Sequence, residues 1–422
     1  MRSKAVRLYG KKDLRLEEFE LLEIRDDEIL AQVISDSMCM SSYKAAIQGA
    51  DHKRVPADIF ENPIIVGHEF CGRIVEVGTK WQGKFKKGDR FSIQPALNLK
   101  EDPYAAPGYS FRHIGGSATY IIIPNVVMES GSLLPYQGKA YFYGSLAEPM
   151  SCIVGAFNAS YHTTQGSYIH KMGIVEGGNL AILAGAGPMG LGAIDYAINN
   201  PHKRPGLIVV TDIDDSRLKR AQEVISVEQA EKKGIKLIYI NTSEFTDPVG
   251  PLMSITNGEG YNDVFVFAPV KPVVEMGDKL LSQDGCLNFF AGPSNTKFTA
   301  ELNFYNVHYS STHIVGTSGG NTEDMKESLD LMADGTINPA AMITHIGGLN
   351  SVVNTILNLP EIPGGKKLIY TNINLELTAL TDFAAKGKDN PMFARLADIT
   401  EKNNGLWSYE AEKFLLEQAE TI

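Results

Sequence analysis

Short apolar runs separated by turn residues dominate the chain from residue 1 to about residue 130. Many of their residues are β-branched, and several runs end in glycine or proline. This pattern predicts strands at KAVRLY, EILAQVI, IIVGHEF, GRIVEVG, KKGDRFSIQ and TYIIIP. The first part of the chain is therefore expected to form a small, mostly β domain.

The pattern changes near Ser145, where Met150, Ile153, Val154 and Phe157 recur with helical spacing. After this helix, apolar strands alternate with helical segments as far as about residue 319. Such alternation is typical of a doubly wound parallel sheet with helices on both faces. An α/β fold with two different domains follows.

Beyond residue 320 the chain continues with an amphipathic helix, a turn and a return to β structure near KKLIYT. The first domain is therefore predicted to be discontinuous, because its last strands come after the second domain. We expect residues 1–152 and 320–370 in the first domain, 153–319 in the second, and 371–422 as a C-terminal extension. A length of 422 residues agrees with two hydrophobic cores rather than one.

Composition narrows the classes of function. The formal net charge of -11 and the lack of a clustered basic surface argue against binding nucleic acid. The first 20 residues lack the apolar core of a signal peptide, and no apolar run is long enough to span a bilayer. We expect a cytoplasmic protein without a membrane partner, whose four scattered cysteines are thiols.

A glycine-rich turn follows the strand NLAILAG. Gly185, Gly187 and Gly190 have the GxGxxG spacing that brings a dinucleotide pyrophosphate close to the backbone and to a helix N-terminus. The next strand ends in Asp212, at the position where a carboxylate meets the adenosine ribose, and the acids after it favour NAD(H) over NADP(H). The second domain is thus predicted to be a Rossmann coenzyme domain. Its predicted coenzyme-binding residues are Gly185, Gly187, Pro188, Met189, Gly190, Asp212 and Arg217.

Three separate places in the first domain supply possible zinc ligands. They are Cys39 in SDSMCMSS, His68 and Glu69 in GHEF, and Glu148 in LAEP. Each has an ordinary structural explanation by itself, but thiolate, imidazole and carboxylate together are ligands that zinc accepts.

The chain resembles the zinc-dependent medium-chain dehydrogenases, the alcohol and sorbitol dehydrogenase superfamily, over roughly residues 4 to 370. The motifs that carry this resemblance are MCMSS, GHEFCGRIVEVG, FKKGDRF, LAEP, LAGAGPMG and VVTDIDDSRL. It implies a GroES-like catalytic domain, with Cys39 and His68 as zinc ligands, Glu69 as a neighbouring or exchanging ligand, and Glu148 as the carboxylate ligand. Cys152, one helical turn after Glu148, is a rival for the last position.

The resemblance also implies the roles of the residues after Cys39. Ser41 matches the hydroxyl that contacts the substrate oxygen and passes on its proton, and Lys44 falls near the position of a proton-relay histidine. The family's usual aspartate two positions beyond Ser41 is missing. The four cysteines of a structural zinc are absent between Phe91 and Gly116. One catalytic zinc per subunit and no structural zinc are therefore expected.

The implied reaction is hydride transfer between a nicotinamide and an alcohol or ketone held at zinc. The carboxylate ligand and the missing structural zinc point to the polyol branch of this family. Within that branch, the loop QGADHKRVPADIFENP and the C-terminal extension make the chain resemble the bacterial L-sorbose 1-phosphate reductase type. The substrate would be a sugar or sugar phosphate. The available cations near the β domain are Lys44, Lys53, Arg54, Arg112 and His113.

Two alternatives remain open. One is a dehydrogenase for an unphosphorylated polyol or for threonine, and the other is a zinc-free, quinone reductase-like or non-catalytic NAD-binding protein. Relatives pair their coenzyme domains through edge strands, so a homo-oligomer, dimer or tetramer, is expected, with HIVGTSGG at the contact.

Overall fold

The computed structural model describes all 422 residues, which form two compact units. The first comprises Met1–Pro149, Asn321–Gly335 and Ile343–Ile422, and the second comprises Met150–Gly320 and Thr336–Met342. The expected boundaries at 152 and 320 lie close to these divisions. The C-terminal residues 371–422, however, belong to the first unit rather than to a separate extension.

The first unit begins with eight strands and three helices. The strands are β1 (Arg2–Gly10), β2 (Asp13–Glu20), β3 (Ile29–Met38), β4 (Ile64–Ile65), β5 (Phe70–Val77), β6 (Arg90–Ile93), β7 (Tyr120–Ile123) and β8 (Leu133–Pro135). The helices are α1 (Met40–Gln48), α2 (Asn125–Glu129) and α3 (Tyr141–Ala159), the last of which continues into the second unit. The run IIVGHEF is not one strand, because β4 ends at Ile65 and residues 66–69 form the turn before β5.

The second unit contains a six-stranded sheet of parallel strands in the order β13-β12-β11-β14-β15-β16. Its strands are β9 (Tyr161–His162), β10 (Lys171–Met172), β11 (Asn179–Leu183), β12 (Leu207–Asp212), β13 (Lys236–Asn241), β14 (Tyr261–Val266), β15 (Leu281–Phe289) and β16 (His313–Val315). Its helices are α4 (Pro188–Asn199), α5 (Asp215–Val224), α6 (Val227–Glu231), α7 (Val249–Ile255), α8 (Lys271–Leu280) and α9 (Phe304–Tyr309). This order confirms the predicted doubly wound sheet of Rossmann type.

The remaining elements return to the first unit. They are α10 (Thr322–Ala333), β17 (Ile343–Gly348), α11 (Val352–Leu357), β18 (Lys366–Tyr370), β19 (Thr378–Ala379), α12 (Phe383–Lys386), α13 (Pro391–Lys402) and α14 (Tyr409–Gln418). The main sheet runs β19-β17-β18-β3-β5-β6-β8, with β7 also paired to β3, and β2-β1-β4 form a smaller sheet. Residues from both ends of the chain therefore share one sheet.

The C-terminal residues join the first unit through a buried carboxylate. Glu412 in α14 accepts hydrogen bonds from the backbone amides of Tyr141 and Phe142, at 2.6 and 2.9 Å, and from the hydroxyl of Tyr370 at 2.9 Å. It thus satisfies amides at the start of α3 that have no partner within the helix. Burial raises the pKa of Glu412 to about 7, although the two amide hydrogen bonds favour its charged form. These contacts explain why residues 371–422 do not form a separate extension.

None of the helices combines the length and the apolar character that crossing a bilayer would require.

Candidate active site

Three strand ends meet on one edge of the main sheet of the first unit. Strand β3 runs antiparallel to both β5 and β18, so its C-terminal end lies beside the N-terminal ends of the other two. The backbone amide of Ser37 donates to the carbonyl of Glu69 at 2.9 Å, and Lys367 pairs with Met38. Cys39, Glu69 and Lys366 consequently come together from positions far apart in the chain.

Cys39, His68 and Glu69 form a compact group of possible metal ligands. Their ligand atoms all lie within 4.8 Å of one another, a separation that a single ion can bridge. The turn that presents His68 requires Gly67, whose φ is +93°, and a Cβ there would lie 2.2 Å from a carboxylate oxygen of Asp36. Three of the four predicted metal-binding residues thus share one buried site.

Hydroxyl groups surround the imidazole of His68. Its Nδ1 lies 3.3 Å from Oγ of Ser42, and its Nε2 lies 3.3 Å from both Oγ of Ser41 and the hydroxyl of Tyr109. Ser42 therefore occupies the place of an orienting group on the nitrogen that faces away from Cys39. Burial lowers the pKa of His68, which favours the neutral ring that a metal requires.

Glu69 forms a buried ion pair with Lys366. The Nζ of Lys366 lies 2.6 and 2.7 Å from the two carboxylate oxygens, and both residues are almost completely excluded from solvent. Burial alone would lower the pKa of Lys366, but the charge of Glu69 raises it above its usual value. Sequence reasoning missed Lys366, although two adjacent lysines opening an apolar strand are an unusual signal.

Glu148 lies in α3, within the first unit, and is half-buried. Burial, followed by the charge of Glu69, raises its pKa to about 7, and His68 has the opposite effect. The same two causes, burial and Glu69, raise the pKa of the Cys39 thiol. Two carboxylates and a thiol thus face a single ammonium, a charge balance that a divalent cation would complete. Neither Glu148 nor Cys152, the rival ligand, is among the three residues whose ligand atoms lie within 4.8 Å of one another.

Tyr109 is the second residue of this site that sequence reasoning missed. It belongs to the segment between β6 and β7, which contains no helix or strand and none of the cysteines of a structural zinc site. That segment is joined to the glycine turn by hydrogen bonds from Gly116 to Gly67 and from Ser117 to Val66, at 2.7 and 2.9 Å. The tyrosine ring stands 4.8 Å from that of His68. No sequence spacing indicates this contact.

Ser41 and Lys44 lie on α1, directly after Cys39. The hydroxyl of Ser41 is 3.0 Å from Sγ of Cys39, so it faces the candidate metal ligands. Lys44 is half-buried one turn later and contributes to lowering the pKa of His52.

The glycine turn of the second unit lies between β11 and α4. A Cβ on Gly190 would stand 2.1 Å from the carbonyl oxygen of Gly185, so only glycine lets the helix approach the strand this closely. At Gly187 a Cβ would meet nothing within 4 Å, which leaves the backbone there open to a ligand. Pro188 and Met189 begin α4, which directs its amides toward this open side.

Asp212 ends β12 beside the glycine turn. Its carboxylate accepts hydrogen bonds from the amides of Ala186, Ile213 and Asp214, at 3.2, 2.9 and 3.3 Å. The exposed Ile213 follows directly. Arg217 lies on the exposed side of α5, 3.8 Å from a carboxylate oxygen of Asp214. The structure thus brings Asp212 to the glycine turn, whereas Arg217 pairs with Asp214, the residue that caps its own helix.

Both units match known families of sequences. Residues 25–130 match the alcohol dehydrogenase GroES-like domain, and residues 188–334 match the zinc-binding dehydrogenase family. Among solved structures, 2R,3R-butanediol dehydrogenase from Bacillus subtilis has a TM-score of 0.69 at 21% identity, covering 88% of this chain and 100% of that chain.

Two relatives extend over nearly the whole chain. Mannitol-1-phosphate 5-dehydrogenase of Aliivibrio fischeri is 57% identical over 408 residues, which cover 97% of this chain and 96% of that protein. L-sorbose 1-phosphate reductase of Klebsiella pneumoniae is 49% identical over 418 residues, which cover 99% of this chain and 98% of that protein. The chain therefore belongs to the zinc-binding, alcohol dehydrogenase-like family of medium-chain dehydrogenases.

Proposed function

We propose that this dehydrogenase uses zinc and NAD(H) to interconvert a hexitol phosphate and a ketose phosphate in the cytoplasm. The observation that carries the proposal is the compact group of Cys39, His68 and Glu69 in the GroES-like unit. Identities of 57% and 49% to two relatives that match over nearly their full length, and whose names contain a phosphorylated hexitol or ketose, support the substrate class.

In this proposal Cys39, His68 and Glu148 hold one zinc ion per subunit, and there is no structural zinc. When bound, zinc supplies a Lewis acid and the nicotinamide supplies or accepts a hydride. Glu69 lies close to the proposed ligands, but both of its carboxylate oxygens accept hydrogen bonds from Lys366. We therefore assign Glu69 an electrostatic role: its negative charge acts on the neighbouring Cys39 and Glu148. The neutral His68 and the partly exposed Cys39 are suited to binding a metal.

The chain itself handles the proton of the substrate hydroxyl. Ser41 is the proposed acceptor, because its Oγ lies 3.0 Å from Cys39 and 3.3 Å from His68, beside the ligands and on the first turn of α1. Lys44, one turn further along the same helix, is the proposed next group on the path outward. Tyr109 closes the buried side of His68 and excludes water there.

The test of this function is a comparison of matched substrates. L-sorbose 1-phosphate and mannitol 1-phosphate would be assayed against L-sorbose and mannitol, in the appropriate directions and with both coenzymes. Our proposal requires a higher kcat/KM for the phosphorylated member of at least one pair. Equal or higher activity on the free sugars would instead favour the unphosphorylated polyol dehydrogenase.

We infer NAD(H) as the coenzyme from the carboxylate of Asp212, and replacement of this residue tests the inference. Asp212→Ala is expected to relax the preference toward NADP(H) by roughly tenfold, since a buried negative charge that repels a 2′-phosphate is removed. Asp212→Asn is the matched variant, because it removes the charge but keeps an oxygen for the amides of the glycine turn. Steady-state kinetics with both coenzymes measure the ratio, and an unchanged ratio in both variants would contradict the assignment.

We also propose that the protein is a homo-oligomer, dimer or tetramer, paired through the edge strand β16. This strand ends the sheet of the second unit, and large apolar side chains are exposed on it and on the neighbouring α9: Phe304, Tyr305, Tyr309 and Ile314. Ile314→Lys is expected to shift the protein toward the monomer in light scattering. A monomeric parent protein would refute the proposal.

A further inference from the structure

A group of cations lies on the loop between α1 and β4, next to the candidate metal centre. The ring of His52 stacks on that of Tyr109, with centroids 5.8 Å apart and planes 10° from parallel. The guanidinium carbon of Arg54 lies 5.3 Å from the centre of the same tyrosine ring. Because the hydroxyl of Tyr109 is 3.3 Å from His68, this one side chain contacts both Arg54 and a candidate metal ligand.

The loop is anchored, so the position of Arg54 is defined before any ligand binds. Val55 and Ile59 are buried in the same apolar cluster as Tyr109. The backbone carbonyl of Arg54 accepts a hydrogen bond from Ser110 at 2.8 Å, and its amide donates to Nδ1 of His52 at 3.3 Å. A cation held in this way loses little further entropy when it binds an anion.

The positive charges of the loop have no carboxylate partners. Arg54 is half-buried and Lys53 is exposed, and neither forms an ion pair; Lys53 instead stands 5.1 Å from the ring centre of Tyr104. Of the three acids in this loop, Asp51 pairs with Lys11, Asp58 accepts a hydrogen bond from Asn62, and Glu61 forms no ion pair with Lys53 or Arg54. Burial is the largest cause that lowers the pKa of His52, followed by the charges of Arg54, Lys53 and Lys44. Arg54 and Lys53, neither of which forms an ion pair, can therefore bind an anion.

We propose that Arg54, supported by Lys53 and Lys44, binds the phosphate group of the substrate. The inference rests on the proposed function and adds to it the residues that distinguish a phosphate ester from a free sugar. A planar guanidinium can donate two parallel hydrogen bonds to a phosphate, which a lysine cannot. Arg54 and His68 both contact the ring of Tyr109, so the width of this ring separates them. The six-carbon chain of a hexitol or ketose phosphate can span this separation.

The other two candidate cations occupy a different place. The ring of His113 stacks on Phe19 of β2, with centroids 6.3 Å apart, and Arg112 is its exposed neighbour. Neither contacts Tyr109. Arg112 is therefore available as a control of the same residue type in the same unit.

The experiment compares Arg54→Gln with Arg112→Gln in the zinc-loaded, full-length enzyme. For Arg54→Gln, KM for L-sorbose 1-phosphate or mannitol 1-phosphate is expected to rise about 10- to 100-fold, as for the loss of charge-assisted hydrogen bonds. The kcat/KM for L-sorbose and mannitol should change by a much smaller factor than that for the esters. Inorganic phosphate should inhibit the parent enzyme and Arg112→Gln competitively, but inhibit Arg54→Gln much less.

Arg54→Lys and Lys53→Gln keep the test decisive if Arg54→Gln folds poorly. Arg54→Lys should raise KM for the phosphate ester less than Arg54→Gln does. Lys53→Gln, which changes an exposed residue, should also raise this KM. An equal loss on phosphorylated and free sugars, or an unchanged preference for the esters, would overturn the assignment of Arg54. If the parent enzyme has no preference for esters, the proposed substrate class fails instead.

Discussion

Replacing His68 by alanine is expected to reduce kcat by roughly 10²- to 10⁴-fold, because the Lewis acid would no longer be held where the substrate oxygen binds. A bound metal contributes several kcal/mol to stabilising the transition state, and each 1.36 kcal/mol corresponds to a factor of ten. The variant should also contain far less than one zinc per chain. Coenzyme binding should persist, since the glycine turn belongs to the other unit.

His345→Ala is a suitable control for this prediction. Its imidazole lies in β17 of the same unit, 2.8 Å from the hydroxyl of Thr344, and is not among the candidate ligands. We expect this variant to retain zinc and turnover. Zinc content by elemental mass spectrometry and NADH binding by fluorescence complete the measurement. A His68→Ala enzyme that kept its zinc and its rate would refute the ligand assignment. A parent protein without zinc would instead favour the zinc-free alternative.

Replacing Lys366 by methionine is expected to lower the free energy of unfolding by about 3–5 kcal/mol at neutral pH. The reason is that Glu69, which is 1% exposed, would retain a buried charge without its partner. Zinc should stabilise this variant more than the parent protein, because the ion would supply part of the missing positive charge. Urea unfolding with and without zinc measures both effects.

The double variant Lys366→Met/Glu69→Gln separates the ion pair from simple packing. It should recover a large part of the lost stability, because no uncompensated charge remains. Lys367→Met is the matched control: this neighbouring ammonium donates to the carbonyls of Ile362, Pro363 and Gly365 rather than to a carboxylate. Zinc should therefore stabilise the Lys367→Met protein against unfolding no more than it stabilises the parent protein. A Lys366→Met protein as stable as its parent would contradict the importance of the pair.

Local patterns were sufficient to predict the elements of the coenzyme unit. Buried strands such as β11, β12 and β14 consist of continuous apolar runs, and the glycines between β11 and α4 have roles that depend only on their immediate neighbours. The sequence therefore led to the Rossmann sheet. It also indicated possible ligands at Cys39, His68 and Glu148, because thiol, imidazole and carboxylate groups stand out among apolar strands.

The contacts between distant parts of the chain could not be predicted in this way. Lys366 reaches Glu69, 297 positions away in the sequence, only because β18 and β5 both pair with β3. Glu412 likewise reaches the start of α3 across 270 positions. Tyr109 lies in a segment without regular periodicity, so no pattern predicted its position between His68 and Arg54. Residue types and local spacing determined which chemistry this protein has available. Only the tertiary structure decided which charged residues surround the candidate metal site. The antiparallel pairing of strands and the packing of irregular loops bring these residues together, and both depend on contacts that sequence spacing does not encode.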